Sequence, residues 1–271
     1  INFWDKRIDQ SDFLVVRIGK GNELLDVEIN YPEQGFTIEE SELRKNADKL
    51  VEEFKYIENV PIGYSLYKNR ITAIMGNMNK SFAFTSNIIL QLITFYSYED
   101  IKIAIFTNEK NESEWDYVKY LNHNFRFFAP TVESAKNLAD FFNIEVNNRV
   151  ATLQNNGNIQ YKPHYVIIID DYDRVKRHNF IKVITELDVD LGFSVIIVEK
   201  HLNKLPSKCN NFISLGDNTS GVLKNSYEKQ EQITFYDEIN YAIDMMSITK
   251  KLSNIPIEFQ EGNKQLPETI A

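Results

Sequence analysis

Ile71-Thr-Ala-Ile-Met-Gly-Asn-Met-Asn-Lys-Ser81, read with Tyr165-Val-Ile-Ile-Ile-Asp-Asp171, decides the fold. The first stretch is a short apolar run, a turn containing Gly76, then Lys80-Ser81 opening a long apolar helix pattern. The second is an apolar run that ends in paired aspartates, Asp170 and Asp171. In P-loop nucleoside-triphosphatases these are the places that hold phosphate and magnesium. A phosphate loop reads G-x-x-x-x-G-K-[ST], because two glycines let an arch turn its backbone N–H groups onto phosphate oxygens. Here only Gly76, Asn77, Met78 and Asn79 precede Lys80. The arch is two residues short, Asn79 stands where the second glycine belongs, and Met78 is expected to put apolar bulk where phosphate would sit. The pattern predicts an ATPase-shaped domain without the means to cradle a triphosphate.

Outward from these stretches, strand-length apolar runs alternate with amphipathic segments of helix length. Helices are expected at 80–96, 114–121, from Pro130-Thr131 towards Gln154, and at 178–188. Strands are expected at 101–107, 125–128, 165–169, 194–198 and 211–215. Such alternation implies right-handed crossovers and a parallel sheet covered on both faces. Ahead of it, residues 12–18 and 24–29 read as a hairpin turning through Gly19-Lys20-Gly21-Asn22. No helix follows this Gly-x-Gly, so it does not read as a phosphate loop. Thr37-Ile-Glu-Glu40 is a capping box for a helix whose apolar stripe runs from Leu43 to Ile57. A pair of short strands is expected at 61–66 and 70–75. After the core, 221–236 read as a hairpin, and Asp237 as the cap of a closing helix. The expected fold is α/β, P-loop-ATPase-like (RecA-like), with a mainly parallel sheet, helices on both faces, an N-terminal β-hairpin and a C-terminal hairpin and helix. The expected divisions are 1–36 packed on the core, 37–253 as the ATPase-like domain, and 254–271 as a linker.

Composition removes several functions. The net charge is −9 across 271 residues with no long block of one sign, which argues against a general nucleic-acid grip. The single cysteine, Cys209, allows no internal disulfide framework and suits a reducing compartment. His123, His164, His178 and His201 show no metal-ligand spacing. No apolar run approaches the roughly 20 residues needed to span a bilayer. A chain that opens on Ile1 reads as a piece of something longer.

Phe3-Trp4-Asp5 with Arg7, followed by Asp12-Phe13-Leu14, Arg17-Ile18-Gly19 and Gly21, is similar to the start of the first cytoplasmic domain in one family. This is the membrane-anchored FtsK/SpoIIIE-type ATPase of type VII secretion systems, in its Gram-positive (Ess) form, the EssC/EccC family. The resemblance covers nearly the whole chain and implies a degenerate first ATPase-like domain. Lys80 and Ser81 fall on the family's phosphate lysine and magnesium hydroxyl, and Asp170 on its magnesium-side aspartate. Asp171 stands where active domains carry a water-polarising glutamate. Glu199 and Lys200 lie near the γ-phosphate sensor, where a carboxylate repels triphosphate. With Gly76 and Asn77 these residues make a vestigial nucleotide site. The resemblance also implies that this domain binds no cofactor and no metal, ATP and magnesium being expected only in neighbouring active domains. The implied partners are those domains, other membrane components of the secretion machine, and secreted substrates. The implied place is the cytoplasmic face of the cell membrane, in a hexamer when the protein is full length. Phe3, Trp4 and Arg7 are candidates for an interface with whatever precedes the domain.

Two other functional readings stay open: a nucleoside-triphosphatase with a shortened loop, using Lys80, Ser81, Asp170 and Asp171, and an unrelated α/β binding module. Read as residues alone, Lys80 is a solvated lysine in a first helical turn, and Ser81 helps to start that helix. Asp170, Asp171 and Asp173 form an acidic strand end. Arg174-Val-Lys176-Arg177-His178 is a solvated loop beside the remnant site.

Overall fold

The computed structural model describes residues 3–25, 46, 49–50, 55–122, 125–156, 159–225 and 230–254. In chain order the strands are β1 (Val15–Leu24), β2 (Tyr56–Ser65), β3 (Ile71–Met75), β4 (Ile101–Phe106), β5 (Arg126–Ala129), β6 (His164–Ile169), β7 (Phe193–Val198), β8 (Asn211–Ser214), β9 (Ser220–Asn225) and β10 (Gln230–Tyr236). The helices are α1 (Met78–Phe95), α2 (Val132–Asn156), the short α3 (Tyr172–Val175), α4 (Asn179–Glu186) and α5 (Met245–Ser253). A 3₁₀ helix, η1, spans Glu112–Tyr120.

The centre of the sheet is parallel, in the order β8-β3-β7-β6-β4-β5. Its side chains sort by the two-residue period of a strand. Ile103, Ile105, Val166, Ile168, Ile196 and Val198 face one core, which α1 and η1 cover with Ile88, Ile89, Leu92 and Trp115. Ala104, Phe106, Ile167, Ile169, Val195 and Ile197 face the other, which α2 and α4 cover with Phe142, Val146, Phe180 and Ile181. Burial on both sides explains why β6 and β7 carry near-continuous β-branched runs, with every residue buried.

An antiparallel wing extends the sheet from β8 through β9, β10 and β1 to β2. Its apolar residues Val16, Ile18, Ile62, Tyr64, Val222 and Phe235 join the core on the α1 face. The β9–β10 hairpin is the one expected from the sequence.

Four expectations need correction. The N-terminal glycine hairpin does not form; β1 runs straight through Gly19 and Gly21. A Cβ at Gly19 would stand 2.2 Å from Tyr236 O, and one at Gly21 2.7 Å from Thr234 O. These glycines serve a close approach of β1 to β10, not a turn. Strands 61–66 and 70–75 do not pair with each other: β2 joins β1, and β3 lies between β7 and β8. Ile57 belongs to β2 rather than to a helical stripe, while the capping box at 37–40 lies outside the described residues. Asp237 caps no helix. The closing helix starts at Met245, where Asp244 accepts a hydrogen bond from Ser247 N at 3.0 Å. The expected linker lies outside the described residues from 255 onward.

Because backbone, not a mobile side chain, meets the added methyl, Gly19→Ala is expected to destabilise the protein by about 2 kcal/mol. Urea denaturation measures this, and an unchanged midpoint would refute the packing argument.

Candidate functional site

β3, β7 and β6 are parallel neighbours. Gly76–Ser81, Glu199 and Asp170–Asp171 therefore emerge side by side at the carboxyl ends of the strands, where open α/β sheets bind ligands. At the first of these bends Gly76 has φ +148°, and a Cβ there would stand 2.7 Å from Leu215 O. Leu215 N donates to Met75 O at 2.7 Å, so the segment after β8 lies against the bend. Asn77 starts α1: its Oδ1 accepts from Asn79 N at 3.0 Å, and its carbonyl takes the first helical bond, from Ser81 N at 2.8 Å. Ser81 therefore does not start the helix. It is fully buried, and its hydroxyl has no hydrogen-bond partner among the described residues. Met78 packs, partly buried, against the core beneath α1.

The solvated lysine expected at position 80 is absent. Lys80 Nζ lies 2.8 Å from Asp237 Oδ2, and the side chains are only 16% and 11% exposed. Lys80 also donates to Gly216 O. Ser220 Oγ donates to the same Asp237 oxygen at 2.6 Å. An ammonium this dehydrated needs an anion, and the chain supplies one in place of a ligand.

The magnesium-side position is satisfied from within at one oxygen only: Asp170 Oδ1, like the Ser81 hydroxyl, is buried with no hydrogen-bond partner among the described residues. Asp170 is buried, and its Oδ2 accepts from Thr107 Oγ1 and from Trp115 Nε1, each at 2.7 Å. Burial pushes its carboxyl up to about 6 against the pull of hydrogen bonds from Trp115, Thr107 and Asn111, and neighbouring Asp171 adds to the rise. Trp115 meets the Phe82 ring edge-on at 5.5 Å, so one indole spans from the first turn of α1 to the end of β6. Asp171 accepts from Asn108 Nδ2 at 3.1 Å. Glu199 turns back to cap its own loop, accepting from Lys200 N at 2.8 Å and His201 N at 3.0 Å.

Nor is the basic stretch uniformly solvated. Arg174 Nη1 donates to Thr107 O and Pro130 O, each at 3.1 Å, and Nη2 pairs with Glu109. Among the described residues no cluster of His, Cys, Asp and Glu could hold a metal ion. These residues do not fit magnesium-ATP: the lysine is already neutralised, the aspartate is held by an indole and a hydroxyl, and backbone crowds the bend at Gly76.

The interface candidates divide. Trp4 docks on its own domain, donating from Nε1 to Ile93 O at 3.1 Å and meeting Tyr98 edge-on at 6.4 Å. It shares a small pocket with Leu121, Phe125 and Leu252. Phe3 and Arg7 are exposed.

Sequence reasoning missed Asp237, Ser220, Gly216, Thr107 and Trp115 as parts of this site. Asp237 had a local reading as a cap, while Thr107 and Trp115 lay inside the strand expected at 101–107 and the helix expected at 114–121. Only strand pairing brings β10 to the head of α1.

A carboxyl raised in the folded state from the ordinary 3.8 to about 6 costs stability at high pH. The cost is complete above pH 6 and vanishes below 3.8. Asp170→Asn is expected to be more stable than the native chain at pH 8, by at most about 3 kcal/mol, with the advantage gone at pH 4. Chemical denaturation of both chains at the two pH values measures it. A destabilised variant at pH 8 would show that the hydrogen bonds outweigh burial.

No family model matches this chain. It is 23% identical over 277 residues to the type VII secretion system protein EssC of Staphylococcus aureus (strain NCTC 8325 / PS 47), with 98% of the chain aligned. It is 20% identical over 280 residues to the ESX secretion system protein EccC of Geobacillus thermodenitrificans. The chain spans 19% and 18% of the lengths of these relatives. Among solved structures, the cytoplasmic domain of the Thermomonospora curvata type VII secretion ATPase EccC superposes with a TM-score of 0.61 at 13% identity, over 93% of this chain and 32% of that one. ATPases 2 and 3 of EssC from Geobacillus thermodenitrificans give 0.58 at 11% identity, over 93% and 50%. The chain is similar along nearly its whole length to the EssC and EccC proteins of type VII secretion, and its fold is similar to that of their cytoplasmic ATPase domains.

Proposed function

We propose that this domain is a non-catalytic, ATPase-shaped module of a type VII secretion motor. It couples the membrane and stalk region to active ATPase domains during protein export. The observation that carries the reading is the pairing of Lys80 with Asp237 and Gly216 O. Phosphoryl transfer depends on positioning and on neutralising phosphate charge. A lysine already held by a carboxylate supplies neither, and Asp170, bound by Trp115 and Thr107, is not set out for a hydrated cation. What remains is a sheet with both faces of its parallel centre covered and an antiparallel wing, suited to passing motion between neighbours.

The proposed partners are the neighbouring ATPase domains of the same polypeptide and the membrane components of the secretion machine, with a hexamer as the full-length assembly. The proposed location is the cytoplasmic face of the cell membrane. Among the described residues no helix is long and apolar enough to cross a membrane. A related structure, of Thermomonospora curvata EccC ATPases 2 and 3, is described in complex with a signal sequence peptide. Secreted substrates therefore belong among the proposed partners.

Two observations favour a nucleoside-triphosphatase with a shortened loop: the buried Ser81 hydroxyl and Asp170 Oδ1 have no partner among the described residues, and both stand where active domains hold magnesium. The occupied lysine outweighs them.

Isothermal titration of the native chain with magnesium-ATP is expected to show no saturable heat in the micromolar range, and a phosphate-release assay no turnover above buffer. Saturable, magnesium-dependent binding abolished by Lys80→Ala would replace this reading with the shortened-loop enzyme.

A further inference from the structure

Three turns that are distant in sequence meet at one ammonium group. Lys80 comes from the first turn of α1, Gly216 from the β8–β9 connection, and Asp237 from the residue after β10. Asp237 Oδ2 faces Lys80 Nζ at 2.8 Å with both side chains largely out of solvent. Ser220 Oγ, at the start of β9, holds the same oxygen at 2.6 Å. To a lysine beside a helix start, a carboxylate offers what a phosphate oxygen offers: negative charge and acceptor lone pairs. Ser220 fixes that carboxylate from the wing side, so it meets the lysine already oriented.

We propose that Asp237 is an in-chain substitute for the anion this lysine would otherwise bind. It is an autoinhibitory contact that keeps the position permanently filled. The same contact ties the antiparallel wing to α1, because Asp237 and Ser220 both belong to the wing while Lys80 belongs to the parallel core. The wing is thus held in one place by a charge that comes from the chain itself. This proposal deepens the non-catalytic reading and rests on it.

The test is Asp237→Asn in the whole chain, which removes the charge and leaves an amide oxygen for Ser220. Inorganic pyrophosphate without magnesium is the probe, at low-millimolar concentration so that general salt exclusion contributes little. The native chain and a Lys80→Met/Asp237→Asn double variant serve as controls. Asp237→Asn alone is expected to gain saturable pyrophosphate binding by isothermal titration. Its Tm should rise by about 4 °C when pyrophosphate reaches ten times its Kd. A variant unfolded in plain buffer that recovers its near-ultraviolet circular dichroism with pyrophosphate supports the proposal equally. It is overturned by a folded variant that ignores pyrophosphate, or by an unfolded one that pyrophosphate does not restore. A response that persists without Lys80, or native binding as tight as the variant's, overturns it too. Failure of the non-catalytic reading is separate: it is read from magnesium-ATP binding or turnover by the native chain, whatever Asp237→Asn does.

Discussion

A buried ammonium must have an anion beside it, and the front edge of this sheet is arranged around that requirement. Lys80 is 16% exposed and has one carboxylate within reach, that of Asp237. Breaking such a pair by removing one partner costs about 3–5 kcal/mol, because the other charge stays dehydrated. The position of Asp237 is therefore specified strongly, and through it the end of β10. From β10 the requirement spreads. β9 is fixed by the hairpin, and β1 by its crossing at Lys20 and Gly21 against Tyr236 and Phe235.

The same logic governs the aspartate end. A carboxyl that leaves water without a cation is stabilised either by protonation or by hydrogen-bond donors. Asp170 is met by donors at one oxygen, where an indole and a hydroxyl donate to Oδ2, and burial pushes its carboxyl up to about 6. Trp115 links the two ends because its ring also packs on Phe82, which sits two residues after Lys80. The two ends form a polar seam inside the protein, met at the lysine by a carboxylate and at one oxygen of the aspartate by donors.

How much of this the sequence disclosed follows from the range of each interaction. The parallel core was legible because burial on both faces writes itself into consecutive residues, as in Tyr165–Ile169 and Ser194–Val198. The shortened arch at Gly76 was legible for the same local reason. The wing was not. Gly19 and Gly21 suit a tight turn and a close strand crossing equally well, and only the position of Tyr236 O distinguishes the two. Asp237, two residues before the apolar stripe of Ile239, Ala242, Ile243 and Met246, reads as a cap in every local sense. Its partner lies 157 positions earlier in the chain, brought close by the order of β3, β8, β9 and β10. Trp115 and Thr107 were legible as core but not as donors, since an indole N–H buried beside a carboxylate leaves no mark in hydrophobic periodicity.

These distinctions bear on the non-catalytic role proposed for this ATPase-shaped domain. Domains built to hold a phosphate and a cation present a lysine and an aspartate whose charges the ligand completes, so ligand binding shifts their stability and shape. Here the lysine charge is completed by a carboxylate of the same chain, while Asp170 is met by donors at Oδ2 and its Oδ1 has no partner among the described residues. On the proposed reading such a domain has no ligand-driven pair of states from which to derive work, and it acts as a coupling element rather than as a motor. On that reading motion reaches it from its neighbours, and the pairing of Lys80 with Asp237 is what ties the wing to α1.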